Sequence, residues 1–258
     1  MMGEMSLGLF KGMSNVLAFL TIIPVRMNSS SIADAASYMY LFPLVGAFVG
    51  LMAGLSAFLL YHIFPSLIVG FLALAAILFI TGLHHTDGLL DFGDGIMRRG
   101  PPEEKIRIMH EQRTGAGALA LGLVVLSTTA FAIGYLSRGN VLQSLVVSEA
   151  SAKLAMVLAA WYGKSAHEGV NTFFINAMHR RNGESRLLTA LALSFGIAML
   201  LLGVVGLIAI LAASFTSLIL DYVSNRHFGG LTGDVFGAIN DLARLASLLA
   251  ILAVVKWV

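Results

Sequence analysis

Between Ala35 and Thr86 the chain runs for 52 residues without a single Asp, Glu, Lys or Arg. As α-helix, at 1.5 Å per residue, that run is roughly 78 Å long, enough to cross a hydrocarbon core of about 30 Å twice. A second uncharged run, Leu187 to Leu220, covers 34 residues. A backbone surrounded by lipid must satisfy its own hydrogen bonds, and a helix does so within one segment. The expected fold is therefore all-α: a polytopic membrane bundle with an N-terminal interfacial helix, in which residues 1–258 form a single membrane-embedded domain.

Composition narrows the function classes. Hydrophobic residues make up 58% of the chain and charged residues only 12%, about half the soluble norm. The net charge is +2 and the mean hydropathy +0.87, which excludes a disordered or nucleic-acid-binding chain. The sequence pI of 9.0 reflects a near balance of 16 basic and 14 acidic residues, so the placement of charge matters more than its total. There is no cysteine, hence no disulfide, thiolate metal site or Cys nucleophile. Glu4 and Lys11 interrupt the N-terminal apolar stretch, and no small-residue cleavage pattern follows, which argues against a removable signal peptide.

Leu7, Phe10, Met13, Leu17 and Leu20 recur at three- and four-residue steps before Pro24, as an interfacial helix requires. Spans are then expected near Tyr40–Leu60, Ser66–Leu83, Ala116–Leu136, Val141–Tyr162 and Leu187–Ala212. A turn is expected at Ser214–Ser217, followed by a short or re-entrant piece over Thr216–Asn225 and a last span from Leu231, six or seven in all. Alternate connections hold eleven basic residues (Lys11 and Arg26, five from Arg98 to Arg113, four from Lys164 to Arg186) against Arg138 alone. By the positive-inside rule the N-terminus and both long loops face the cytoplasm, in a multi-pass protein of the cell membrane.

The most informative segment begins at His84 and ends at Arg99. If the helix of the second span continues, Asp87, Asp91 and Asp94 stand at i, i+4 and i+7, with His84 and Arg98 extending the same face. Three carboxylates so placed repel, which calls for a neutralising cation. An all-oxygen set without Cys suits Mg²⁺ or Mn²⁺. Leu89, Leu90 and Phe92 interleave with the acids as a buried face requires, and the glycines let a bulky ligand approach the backbone. A solvated acidic loop is the competing reading. Just downstream, two prolines and two glutamates predict a short helix that brings Lys105, Arg107 and Arg113 to the acids. A divalent ion beside Lys and Arg is the equipment of phosphoryl chemistry. For Arg98, Arg99 and Lys105, contact with lipid headgroups explains the charge equally well.

Glu149 and Lys153, four residues apart inside a span, must pair with each other or face a polar cavity that admits substrate. Gly229 to Asp241 opens the final helix. It places Asp234 and Asp241 seven apart with Asn240 beside them, on the side of the membrane where Asp87 lies. Thr232 is either a helix cap or a ligand contact.

Together these residues resemble the cobalamin synthase family, the adenosylcobinamide-GDP ribazoletransferases. His85-x-Asp87-Gly88-x-x-Asp91-x-x-Asp94-Gly95, Ile108-Met109 followed by Glu111, Arg113 and Gly115, and Gly229-Gly230-x-Thr232-Gly233-Asp234 with Gly237-Ala238 are similar to the family's motifs. So are Phe19-Leu20-Thr21 with Pro24, and Phe42-Pro43-Leu44-Val45-Gly46, so the likeness covers nearly the whole chain. Thr86 stands where the family usually has Leu, and Glu111-Gln112 where it has Asp-Ser.

The resemblance implies a membrane transferase that joins adenosylcobinamide-GDP to alpha-ribazole or its 5′-phosphate, releasing GMP at the end of cobalamin biosynthesis. On that reading Asp87, Asp91 and Asp94 hold Mg²⁺ on the pyrophosphate, and Arg113 and Lys153 neutralise phosphate oxygens. Arg98, Glu149, Thr232, Asn240 and Asp241 are further substrate-binding candidates. The proton of the attacking ribose hydroxyl passes to Asp94, Glu111 or Asp234, or to His85. Partners are the two substrates and the bilayer, without nucleic acid, and homo-oligomerisation is left open. Asp91-x-x-Asp94-Gly95-x-x-Arg98-Arg99 is also similar to the CDP-alcohol phosphotransferases, the alternative reading, but their downstream Gly-x-x-x-Asp-x-x-x-Asp is absent from this chain, which argues against that class. A transporter would show repeats around a midplane site, and none is evident.

Overall fold

A computed structural model describes residues 2–24, 31–111 and 113–255. Arg26 and Gln112, and the last three residues of the final span, lie outside the described residues. The helices are α1 (Met2–Leu20), α2 (Ser31–Ser37), α3 (Phe42–Leu60, entered through a 3-10 turn at Met39–Leu41), α4 (Ser66–Ile80), α5 (His84–Met97), α6 (Pro102–Met109), α7 (Ala116–Tyr135), α8 (Val141–Tyr162), α9 (Val170–His179), α10 (Gly183–Leu202), α11 (Val204–Phe228) and α12 (Gly233–Val255). Among the described residues the only β feature is a single parallel bridge between Ser165 and Leu231.

Among the described residues six helices are long and apolar enough to cross a membrane, α3 with its 3-10 turn, α7, α8, α10, α11 and α12, and the pair α4 and α5 meets the same test jointly. The chain is a multi-span membrane protein. Its centre is α8, buried over most of its length, Glu149 and Lys153 included. Helix α3 lies directly on it through Gly46, Gly50 and Gly54. A Cβ on Gly46 would fall 2.4 Å from the Glu149 carbonyl oxygen, and one on Gly50 would fall 2.3 Å from that of Leu145. Lipid offers no hydrophobic drive for helix pairing, so small residues one turn apart bring backbones close enough for dispersion to do it.

Two expectations about the chain path are corrected. The apolar run after Leu187 breaks at Gly203, whose φ of 56° reverses the chain, not at Ser214–Ser217. Thr216–Asn225 is therefore the second half of the full-length α11, neither a short span nor a re-entrant piece. Hydroxyl-rich stretches mimic turns in sequence, but Thr216 bonds the Ala212 carbonyl within its helix. Ser217 is buried, donating to the Ala155 carbonyl and accepting from Tyr162. The second correction concerns α5, which does not continue α4. Gly82 and Leu83, both at φ 63°, turn the chain so that the two helix axes meet at 98°. Helix α5 then lies against the first halves of α7 and α12.

The glycines of α5 serve that lie. Gly88 is pressed on the Asp234 backbone, Gly93 on Gly117 and Ala118, and Gly95 on Met109 and Phe228. They admit other helices, where the sequence suggested room for a ligand. At the same end the 163–169 and 229–232 connections are tied by Ala166 N–H to the Leu231 carbonyl (2.9 Å) and Leu231 N–H to the Lys164 carbonyl (2.7 Å). The opposite end is closed by Tyr61, whose hydroxyl donates to the Leu136 carbonyl at 2.7 Å, and by Arg138 against the Phe58 ring.

Candidate active site

Helix α5 projects Asp87 and Asp91, one turn apart, into a cleft of about 340 Å³. Its facing wall comes from the stretch after α6, with His110, Glu111, Arg113 and Thr114. Thus Asp87 and Asp91, grouped by their spacing, line one cavity with Arg113 and Glu111, singled out in the downstream segment. Asp234, in the first turn of α12, stands beside it: its backbone touches Gly88, and its carboxylate is 3.9 Å from His110 Nε2. Thr232 caps α12 by accepting the Val235 N–H (3.2 Å), and its hydroxyl points at Asp234 Oδ2 (3.4 Å). Burial, then the neighbouring Asp234, Asp87 and Asp94 carboxylates, push the Asp91 carboxyl up to about 7. Burial and neighbouring negative charge disfavour the ionised form of Asp91, and a cation would relieve it.

Asp94 is engaged elsewhere. Its carboxylate accepts the Gly115 N–H (2.6 Å) and the Ala118 N–H (2.9 Å), capping the start of α7. The i, i+4, i+7 alignment is real, but the third acid satisfies amides that an N-terminus leaves open. Among the described residues no group of three or more His, Asp or Glu side chains forms a ready-made metal cage. Arg98 pairs with Glu104 on the exposed surface, away from the residues of the cleft.

His85 points the other way. It is 6% exposed, borders an apolar cavity on the opposite side of the α5–α12 crossing, and its Nδ1 is buried without a hydrogen-bond partner.

Behind the crossing lies a closed ionic network. Glu149 is paired with Arg244 and with Lys153 (3.4 Å), and Arg244 Nη1 donates to Asp241 Oδ1 (2.7 Å). Lys153 donates to Asn240 Oδ1 (2.6 Å), and Asn240 donates to Asp241 Oδ1 (2.9 Å). Thr86 of α5 donates to Asp241 Oδ2 at 2.8 Å. Two acids and two bases thus balance where unpaired charge would be prohibitive. The residues marked from sequence as Glu149, Lys153, Asn240 and Asp241 come together, joined to one another and not to the cleft. Arg244 is the member that sequence reading missed. Its signal was an arginine in an apolar final span, one turn after Asp241.

A bundle of spanning helices with a carboxylate-and-arginine cleft built on its end belongs to the integral membrane proteins that carry their polar chemistry at one interface. Comparison with known proteins gives the particular family. The cobalamin-5-phosphate synthase family profile matches residues 12–252, and the chain belongs to that family. An adenosylcobinamide-GDP ribazoletransferase of Methanocella arvoryzae is 34% identical, over 96% of this chain and 97% of its own. Proteins of the same name from Syntrophobacter fumaroxidans (35%, covering 91% and 95%) and Thermococcus kodakarensis (32%, covering 95% and 99%) are similar throughout. No solved structure matches.

Proposed function

We propose that this chain is an adenosylcobinamide-GDP ribazoletransferase: it joins adenosylcobinamide-GDP to alpha-ribazole or its 5′-phosphate, releases GMP, and forms adenosylcobalamin or its phosphate. The observation that carries the chemical part of the reading is the cleft in which Asp87, Asp91 and Arg113 face one another. Relatives of that name aligned over nearly the whole chain support the substrate assignment.

Mg²⁺, with Mn²⁺ as the alternative, fits the residues present. Mg²⁺ keeps several waters and takes one or two carboxylates plus substrate phosphate, so it needs no protein cage of three. Asp87 and Asp91 would hold it, and it would offset the burial and the neighbouring carboxylate charge that raise the Asp91 carboxyl. When bound, it would neutralise pyrophosphate oxygens and stabilise the leaving GMP.

The chain's own groups do the rest. Arg113 supplies a fork of donors to the non-bridging phosphate oxygens. The ribose hydroxyl oxygen bonds to the cobinamide-side phosphorus as the bond to the GMP oxygen breaks. Its proton passes to a carboxylate, for which Asp234, steadied by Thr232 and facing His110, is the best placed and Glu111 the second. The buried network positions these groups indirectly, since the Thr86–Asp241 bond locks α5 to α12 and so sets Asp87 and Asp91 against Asp234. The end that carries the cleft faces the cytoplasm, in keeping with the basic residues that flank it.

The test is purified protein in lipid nanodiscs with adenosylcobinamide-GDP, alpha-ribazole phosphate and Mg²⁺, followed for GMP. Release that requires both substrates and the cation is expected. No GMP from folded protein would remove the reading, and turnover of a CDP-alcohol instead would replace it.

A further inference from the structure

At the cleft end of the bundle, α10 begins beside the entry to α3. Between them lies a cavity of about 600 Å³, with Tyr38 and Tyr40 on one side and Asn182, Ser185, Arg186 and Thr189 on the other. It shares no lining residue with the carboxylate cleft, and no carboxylate stands on its wall. One guanidinium nitrogen of the half-buried Arg186 donates to the Ala177 carbonyl of α9, which fixes the group in place. Among the described residues no acceptor takes its other N–H bonds and no acid pairs with it, whereas Arg98 sits on Glu104 and Lys153 and Arg244 share Glu149. The ionisable side chains whose charges reach Arg186 are Tyr40, Arg180 and Tyr38, none of them negative at neutral pH. Asn182 makes no side-chain cap, so the first-turn amides of a 20-residue helix open at the same rim. Glu184, in that turn, lies instead in the neighbouring hollow with Arg180 and Arg181. An anchored guanidinium, hydroxyls and open amides without an acid suit the oxygens of a phosphate.

We propose that this cavity binds the headgroup phosphate of a phospholipid in the leaflet at the cleft end, with one acyl chain lying along the outer face of α10. The inference rests on the multi-span fold and not on the transferase reading. What selects a lipid over a soluble phosphate is the continuation of the site into the apolar part of the span. Ser185, Thr189, Ala192 and Gly196 share one face of α10 and all are exposed. A Cβ at Gly196 would meet nothing within 4 Å, so this strip of small side chains is an open channel leading from the cavity down the outside of the bundle. Leu188, Phe195 and Met199, also exposed, form the ridge beside it. Tyr38 and Tyr40, their ring centroids 5.9 Å apart, stand at the depth where amphipathic rings meet headgroups. Basic hollows between spanning helices recognise such headgroups, and Arg180 and Arg181 add positive charge alongside. Of the six single-helix spans α10 is the least buried, and a lipid held here fastens it to the entry of α3.

The experiment is native mass spectrometry of the full chain in detergent, titrated with phosphatidylglycerol. A diacylglycerol with the same chains and glycerol phosphate without chains are the comparisons. Phosphatidylglycerol is expected to bind the parent at least about tenfold more tightly than the diacylglycerol, a difference that needs no variant to fold. Arg186→Gln and Ser185→Glu should each weaken it about tenfold or more. Arg186→Gln also gives up the bond to Ala177, whereas Ser185→Glu sets a negative charge in the cavity from an exposed position and leaves that bond intact. Gly196→Leu, which fills the strip without touching the cavity, should weaken the lipid and leave glycerol phosphate unaffected. Added phosphatidylglycerol should raise the melting temperature of the parent and not that of Ser185→Glu. Equal retention of the diacylglycerol, or unchanged phosphatidylglycerol affinity in folded Ser185→Glu, overturns the site. Glycerol phosphate displacing the lipid at equal concentration, with Gly196→Leu binding as the parent does, makes the cavity a soluble-phosphate site and overturns the lipid.

Discussion

Three aspartates on one face of α5 have two different fates. Asp87 and Asp91 look into the cleft, whereas Asp94 is spent on the α7 amides. Asp91→Asn is accordingly expected to leave the protein inserted and folded while abolishing cation-dependent GMP release, measured beside a thermal melt. Asp94→Ala should act first on stability, lowering it by about 1 kcal/mol through loss of the cap, as read by the same melt. The raised Asp91 carboxyl gives a pH dependence with a definite sign. Below about 7 the group binds a proton that a divalent ion must displace, so Mn²⁺ affinity should fall by up to about tenfold per pH unit as pH drops through 7 and level off above it. A Mn²⁺ titration between pH 5.5 and 8.5 that is flat would exclude Asp91 as a ligand. The alignment of the three acids was legible in their spacing. Asp94's engagement was not, because its partners are amides 21 and 24 residues away that only the folded chain presents.

Among the elements, α5 and the α3–α8 pair carry the architecture. Leu83, a non-glycine residue at φ 63°, turns α5 out of line with α4, at a cost of about 1–2 kcal/mol. That cost is met where α5 packs on α7 and α12. Gly50→Leu would drive a side chain into the Leu145 carbonyl and separate α3 from α8, and loss of the folded, detergent-stable protein is expected. Arg244→Met removes one partner of two buried acids. It should destabilise the bundle by about 3–5 kcal/mol, measured by thermal or denaturant unfolding in detergent. Helix positions followed from apolar runs, and α6 from its prolines and glutamates. The break at Gly203 was hidden because α10 and α11 are both apolar, and the hydroxyl residues beyond it imitate a turn, although Thr216 bonds a carbonyl within its own helix and Ser217 one on α8.

At the scale of the whole molecule, all the candidate site residues outside the buried network gather at the end that holds the 81–115, 163–182 and 229–232 connections, with Arg138 and Tyr61 at the other. The natural lack of cysteine makes the orientation measurable. Single replacements Glu103→Cys and Ser137→Cys, on exposed residues of the two ends, should react with a membrane-impermeant maleimide from opposite sides, Ser137→Cys alone in intact cells. Reaction of Glu103→Cys in intact cells would reverse the orientation. By itself the sequence determined the solvent, the helices and the kind of side chain available for chemistry, because hydropathy and helical periodicity are local properties. Only the tertiary structure decided which charges face the cleft, which cap a helix and which neutralise each other inside the bundle. Spacing along one helix places a carboxylate on a face, but its partner is chosen by whichever helix, often more than a hundred residues away, packs against that face.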